Sequence, residues 1–382
     1  MKKKLKAKSA TADRPASKRL RVFVGVSGGV DSSVALALLQ KEGYDVTGVF
    51  LKVWNPDWLP CNWREERRSA MRVCATLGLP FKTLDFEKEY KKEVVDYMIR
   101  EYSLGRVPNP DVFCNKYVKF GIFLKKVREL GGDYIATGHY AHIRTNQRMN
   151  TNETNVYELG EGVDKEKDQS YFLYTLGQKE LAHTLFPVGG MTKPEVRKLA
   201  GRFNLPTATK KDSQGLCFIG KVDMKDFLAH YIKAVPGNVL NAKGEVVGRH
   251  DGTIFYAIGQ RHGFTITKKS PEDPRFFITS KDLEKNTVTV GSKKSEADKI
   301  YSIKEIIISK MHFISGKEMI SPSKVSVRIR YRQEKQSATL EKTSDGYRIR
   351  FDNLQNGISV GQSAVLYQGE TCLGGGIIEG AM

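Results

Sequence analysis

No stretch of the sequence approaches the roughly 18 consecutive apolar residues that a transmembrane helix requires. The N-terminus also lacks the apolar segment of a signal peptide. A soluble, cytoplasmic chain with no membrane attachment is therefore expected. Acidic side chains are in short supply: 43 Asp and Glu face 62 Lys and Arg, a formal net charge of +19. That surplus suits either a heavily solvated surface or a partner rich in phosphate. Nucleic acid is the natural candidate, because each phosphate neutralised by Lys or Arg releases condensed counterions. Cysteine is scarce and scattered. Cys61, Cys74, Cys114, Cys217 and Cys372 are odd in number and form no CxxC pair, which fits neither a disulfide framework nor a zinc ribbon and leaves thiols in a reducing compartment. No internal repeat is visible. What is present, 40% apolar and 10% aromatic residues in a chain of 382, suffices for packed cores in two to three domains.

Residues 1–21 carry nine basic residues and one acidic one, so they supply +8 of the charge and leave +11 elsewhere. A disordered basic tail is expected over 1–20. From Leu20 the run LRVFVGV, a Gly-rich turn and the helical stretch Asp31–Lys41 read as strand, loop and helix. Further strands are expected at Val46–Trp54, Phe81–Phe86 and Asp133–Tyr140, alternating with helical segments over 63–78, 87–103 and 115–130. This alternation predicts βαβ units and an α/β fold: a parallel sheet covered on both faces, right-handed crossovers, and ligands beyond the carboxyl ends of the strands. Residues 144–167 read as an exposed hairpin excursion and Lys193–Phe203 as a last helix. Beyond about residue 222, short alternating strands broken by Gly, Asn and Asp take over. The expected domains are a catalytic domain over 21–221, a small central β-rich domain over 222–300, and a β-barrel or sandwich over 301–382. In the last, RIRYR (Arg328–Arg332) is expected to set its charges on one strand face with Tyr331 beside them, suited to RNA. The Leu373–Gly376 run suits close strand packing.

The strongest local signal is SGGVDSS, Ser27–Ser33, between the first strand and the first helix. No GKS or GKT follows its glycines and its spacing is not GxGxxG, so it is neither a Walker A loop nor a dinucleotide fingerprint. Two glycines admit a ligand close to the backbone, the hydroxyls can donate to anionic oxygens, and the helix N-terminus offers free amides. Such a loop cradles phosphate. Asp31 either helps to hold Mg²⁺ or caps the helix. The loop resembles the pyrophosphate-binding loop of the ATP pyrophosphatase (PP-loop) superfamily, whose members cleave ATP between its α and β phosphates.

Two cysteine motifs narrow the choice: PNPDVFCN, Pro108–Asn115, and KDSQGLCFIG, Lys211–Gly220. Cys114 is expected to begin a helix, where dipole and amides favour its thiolate, and Cys217 follows Lys210 and Lys211, which would do the same. Cys61, Cys74 and Cys372 read as buried structural thiols. Together with ATGHY, KDQSYFLY, YAIGQRHG and GQSAVLYQGETCLGGGII, these motifs make the chain from about residue 21 onward resemble the tRNA-specific 2-thiouridylase family.

The resemblance implies a PP-loop catalytic domain, a small central domain and a C-terminal β-barrel that helps to hold the anticodon arm. It implies ATP bound by Gly25, Val26, Ser27, Gly28, Gly29, Val30, Asp31 and Ser32, with Leu51 against adenine, where the family often has Met, and Gly138 as a further nucleotide contact. It makes Cys217 the persulfide carrier and Cys114 the second catalytic cysteine, able to form a transient disulfide with it. Asp111 becomes the acid beside the target base, with Asn109 and Pro110 in the same base-contacting segment. Lys167, Asp168, Gln169, Arg330, Tyr331, His139 and Gln362 become tRNA contacts. A cysteine desulfurase or a sulfur-relay protein would supply sulfur, Mg²⁺ would accompany ATP, and the chain would act as a monomer. Asp111, Cys114 and Cys217 could instead ligate an iron–sulfur cluster. An amide-forming ligase of the same superfamily and a non-catalytic RNA-binding protein are the competing readings.

Overall fold

The structure, a computed structural model, describes residues 19–59, 63–146, 156–211, 224–267, 275–291 and 303–382. It divides into two compact units. One takes the chain to Lys91 and from Cys114 to Phe218; the other takes Lys92–Phe113 and Ile219–Met382.

The first unit is built on a parallel sheet. Strands β1 (Arg21–Gly25), β2 (Asp45–Lys52), β3 (Phe81–Asp85), β4 (Tyr134–Ala136) and β7 (Thr184–Leu185) run in the order β3-β2-β1-β4-β7, with every neighbouring pair parallel. The apolar runs expected to be strands lie at its centre: Val22, Phe23, Val24, Val49, Ile135 and Ala136 are 0–1% exposed, as strands covered on both faces must be. Helix α1 (Val30–Lys41) buries Val34, Leu36 and Leu39, while α2 (Trp63–Thr76) contributes Ala70, Val73 and Cys74. Cys74 is a packing thiol, as expected. Its sulfur fills the space that a Cβ on Gly48 would need, and burial pushes its pKa up to about 11. The expected excursion is the antiparallel hairpin β5 (Ala141–Asn146) and β6 (Val156–Glu161). Strand β7 was not foreseen; two residues carry no periodicity.

Strand order reverses between β1 and β4. By the rule for open parallel sheets, a ligand belongs in the crevice beyond their carboxyl ends. SGGVDSS leaves β1 there and ATGHY leaves β4.

The second unit contains two β modules. Strands β8 (Gly237–Leu240), β9 (Val246–His250), β10 (Thr265–Ile266), β11 (Phe277–Asp282) and β12 (Thr287–Gly291) form a sheet in the order β10-β9-β8-β12-β11 around Val239, Tyr256, Ile278 and Val288. Strands β13 (Ile303–Phe313), β14 (Ser323–Arg328), β15 (Gln336–Thr343), β16 (Gly346–Gln355), β17 (Ser363–Gln368) and β18 (Thr371–Ala381) pair antiparallel in the order β13-β16-β15-β14-β17-β18. Pairing of β13 with β18 closes this sheet into a barrel, so it is not a sandwich and no edge is left among those six strands. The segment expected to be helical over 87–103 is helical throughout, but from Lys92 the chain, through Phe113, falls within this second unit.

Gly374 lies in β18 at φ +138°, and a Cβ there would sit 2.0 Å from the His312 carbonyl on β13. The glycine run thus serves strand packing, as expected. Gly374→Ala should cost about 3 kcal/mol or more in urea unfolding. Gly201→Ala, in the helix Lys193–Arg202 with nothing within 4 Å, should stabilise by roughly 0.5–1 kcal/mol.

Candidate functional site

The loop after β1 is folded upon itself by its own hydroxyls. Ser27 N–H donates to Ser32 Oγ (3.3 Å), Gly29 N–H to Ser27 Oγ (3.4 Å), and the Ser32 and Ser33 hydroxyls to Gly29 O (3.3 and 2.7 Å). Gly28 sits at φ +75°, and a Cβ on it would lie 2.6 Å from the Glu66 carbonyl. No other residue fits. Its own carbonyl accepts from Ser69 Oγ (3.1 Å) and Lys210 Nζ (2.9 Å). At the start of α1, the N–H groups of Val30, Asp31 and Ser32 precede the first intrahelical acceptor, and Gly29 provides no side-chain cap. Those donors and the positive end of the dipole are free to take an anion.

Gly138 explains itself sterically: a Cβ would lie 2.6 Å from Ser32 N. Gly25 does not, since its nearest neighbour would be at 3.7 Å. Leu51 is half-buried near the carboxyl end of β2, opposite Leu84, and supplies an apolar wall on the same edge of the sheet.

Asp31 does not cap α1. Both of its oxygens are 2.8 Å from Lys193 Nζ, and Tyr140 donates its hydroxyl to Oδ1 at 2.7 Å. The Lys193 side chain is 11% exposed. Sequence reasoning missed Lys193 and Tyr140, and it gave Lys210 a role beside Cys217 and none at the loop. The one available signal for Lys193 was a cation in the first turn of a helix, where the macrodipole disfavours it. That helix is secured otherwise, by the Thr192–Glu195 capping box, with Thr192 N–H and Oγ at 2.7 and 2.8 Å from Glu195 Oε2.

Lys210 also lines an open cavity of about 440 Å³ with Glu65, Glu66, Arg68, Ser69 and Arg72. Burial raises the Glu66 pKa and the Lys210 charge opposes that rise. Lys210, which reaches Gly28 O, shares this cavity with two arginines and two glutamates.

Of the residues expected to meet tRNA in this unit, His139 and Asp168 are buried, at 8% and 2% exposure. His139 Nδ1 is 2.7 Å from Thr137 Oγ1, and its ring lies near Phe120 and Phe186. Burial, assisted by Lys119, pushes its pKa well below the ordinary value, so the imidazole is neutral. Asp168 accepts from Gly162 N, Ser170 N and Ser170 Oγ at 3.0–3.1 Å. These two residues are placed to shape their loops from within. Gln169 exchanges bonds with Tyr140: its N–H reaches Tyr140 O at 2.9 Å, and its Oε1 accepts from Tyr140 N at 3.1 Å. Tyr140 therefore ties the Lys167–Gln169 segment to Asp31.

Cys114 is 4% exposed and opens the π-helical segment Cys114–Ile122. Helical backbone already begins at Pro110, so Cys114 lies past the first turn and is not at the helix start that was expected. In the second unit, Asn109 Oδ1 accepts from Val112 N (3.4 Å), as a helix cap does. Pro110 occupies the first helical position and Asp111 the first turn, half-buried. Cys217 and Cys61 lie outside the described residues. RIRYR departs from expectation. Strand β14 ends at Arg328, which is buried with its guanidinium over the Tyr367 ring, and Arg330 to Arg332 form a turn. Arg330 and Arg332 are exposed there, Arg330 donating to Gly357 O and Arg332 resting on Tyr331. Gln362 Nε2 donates to Val107 O at 3.0 Å. Among the described residues, no group of three His, Cys, Asp or Glu side chains is arranged to hold a metal ion.

The model of the tRNA methyl transferase HUP domain matches residues 20–221, that of the tRNA methyl transferase PRC-barrel domain 225–292, and that of the aminomethyltransferase β-barrel domain 303–378. The chain is 44% identical over 366 residues to the tRNA-specific 2-thiouridylase MnmA of Pseudomonas entomophila, covering 95% of this chain and 96% of that protein. It is 43% identical over 375 residues to that of Stutzerimonas stutzeri, covering 97% and 98%. Among solved structures, NMN synthetase from Francisella tularensis aligns at 13% identity and TM-score 0.33, over 54% of this chain and 70% of its own. A tRNA thiolase from Methanococcus maripaludis, with its 4Fe–4S cluster, aligns at 18% and 0.34, over 55% and 65%.

Gly138→Ala should force the first turn of α1 away from β4 and weaken ATP binding about tenfold or more by calorimetry, with the far-ultraviolet circular dichroism unchanged.

Proposed function

The chain belongs to the tRNA-specific 2-thiouridylase family, and from that premise we propose that it converts the wobble uridine of tRNA to 2-thiouridine with cleavage of ATP to AMP and pyrophosphate. The observation that carries this reading is the loop Ser27–Ser33, where Gly28 packs against Glu66 and Gly138 of the ATGHY turn packs against Ser32, so that the N-terminal amides of α1 are held at the end of β1. It stands at the switch point of the sheet in a chain that also carries both cysteine motifs.

The C2 oxygen of uracil is a poor leaving group. It attacks the α-phosphorus of ATP, and pyrophosphate departs toward the amides of α1, Lys210 and the arginines of α2. Mg²⁺ would accompany ATP as its counter-ion, while the Asp31 carboxylate is held by Lys193. The outer sulfur of a Cys217 persulfide then attacks C2, and AMP leaves with the original oxygen. The Cys114 thiolate attacks the inner sulfur, the S–S electron pair stays on the sulfur at C2, and the products are 2-thiouridine and a Cys114–Cys217 disulfide. A thiol reductant reopens that disulfide with two electrons. Asp111 handles the proton at the base, and Asn109 and Pro110 hold the turn that presents it. Lys167, Arg330 and Tyr331 offer charge and a ring to the RNA. The persulfide comes from a cysteine desulfurase or a relay protein, and the tRNAs are those reading Lys, Glu and Gln codons. An amide-forming ligase would use the loop but leave the cysteine motifs and the basic β modules idle.

With unmodified tRNA, ATP, Mg²⁺ and a persulfide source, nucleoside mass spectrometry should find 2-thiouridine, and AMP should form only when tRNA is present. Formation of ADP instead would exclude the reaction. Cys217→Ala should abolish 2-thiouridine while tRNA affinity stays within about twofold.

A further inference from the structure

Residues 104–108 lead directly into Asn109–Asp111, and they are gripped from two sides inside the second unit. On the side of the central sheet, Lys281 of β11 donates to Gly105 O at 2.5 Å and to Tyr256 O at 3.1 Å. Leu283 closes over Gly105, where a Cβ at φ +70° would lie 2.3 Å from its Cδ1. On the side of the barrel, Val107 N–H donates to Val360 O at 2.8 Å, and Gln362 Nε2 returns a bond to Val107 O at 3.0 Å. A Cβ on Gly361 would lie 2.9 Å from Val107 N, so the approach demands glycine. Between the two grips, Arg106 bridges Glu101 Oε2 at 2.8 Å and Glu379 Oε2 at 2.7 Å, and Ser309 Oγ donates to the other oxygen of Glu379 at 2.5 Å. The helix Asp96–Ser103 holds the remaining amides: Gly105 N–H bonds Tyr102 O at 2.8 Å and Arg106 N–H bonds Glu101 O at 3.0 Å.

We infer that residues 104–108 are a strap through which the central sheet and the barrel set the position of Asn109–Asp111, with Lys281 and Gln362 as its positioning residues. The inference rests on the thiolation reading, because it assigns the strap a consequence for that reaction. Two features argue for a positioning device over ordinary packing. The half-buried Lys281 ammonium is spent on two backbone carbonyls, and desolvation lowers its pKa to about 8; a merely stabilising contact would use a group that costs less to desolvate than a cation. And Gln362, expected on sequence to touch RNA, directs its amide donor at the strap, three residues before the base-contacting proline. A carbonyl oriented by a side chain from each module leaves the turn at Asn109 little freedom of its own.

The full-length enzyme tests this with Gln362→Leu and Lys281→Met. If the strap positions the turn, both variants lose about tenfold or more in kcat at saturating tRNA, while the tRNA Kd from filter binding moves less than about twofold. Exchange of the Val107 amide should become faster in Gln362→Leu, a readout that needs no catalysis. Gln362→Leu is half-buried and is expected to fold even if Lys281→Met does not. A tenfold weaker tRNA affinity with unchanged kcat would make Gln362 an RNA contact and overturn the inference, as would unchanged kcat with unchanged Val107 exchange. Absence of 2-thiouridine from the wild-type enzyme would instead overturn the thiolation reading, leaving the exchange result to judge the strap.

Discussion

The catalytic unit depends on one electrostatic contact, the carboxylate of Asp31 held between Lys193 and the Tyr140 hydroxyl. A carboxylate in the first turn of α1 is favourable by itself, and a lysine in the first turn of the helix Lys193–Arg202 is not. Joined, they bring two helix N-termini together without leaving net charge between them. Tyr140 adds a mechanical link, since the residue that donates to Asp31 also exchanges backbone bonds with Gln169. The phosphate loop, the ATGHY turn and the Lys167–Gln169 segment therefore share one anchor. Removing Lys193 would leave a half-buried carboxylate in the first turn of α1 without its counter-charge.

Close backbone approach is the second constraint. Gly28 against Glu66, Gly138 against Ser32, and Gly361 against Val107 all lie where a methyl group would collide with backbone atoms. In each case the permissive residue is used for proximity more than for flexibility. The π-helical run Cys114–Ile122 follows the same logic of local irregularity. The wider helical winding begins at the expected catalytic cysteine, and a Cβ on Gly121 would lie 2.8 Å from Lys116 O.

The parallel sheet was legible because buried strands must be continuously apolar, and VFV, VTGVF and DYIA have that signature. SGGVDSS was legible because loop chemistry is local. What escaped the sequence was decided by partners far along the chain. Nothing in the pattern of residues 92–113 reveals that Arg106 meets Glu379 or that Gly105 meets Lys281, so the helix over 87–103 and the motif that follows it were both placed in the catalytic domain. RIRYR alternates like a strand, but Arg328 finds the Tyr367 ring inside and the chain turns at once. His139 was expected to meet tRNA on the resemblance alone; its burial against Phe120 and Phe186, from two distant segments, has no local signature.

The charge itself was read too uniformly. A surplus of +19 suggested a basic surface, yet Lys193, Arg106, Lys281 and Arg328 are committed to a carboxylate, an ion-pair bridge, two carbonyls and an aromatic ring. Each of these cations is engaged within the fold and adds little to long-range attraction of RNA, which solvent and salt screen within about 10 Å. Composition counts a buried cation and an exposed one alike. Only the fold separates those that can release counterions on meeting RNA, such as Arg330 and Arg332 in the turn after β14, from those that hold the protein in the shape the reaction needs.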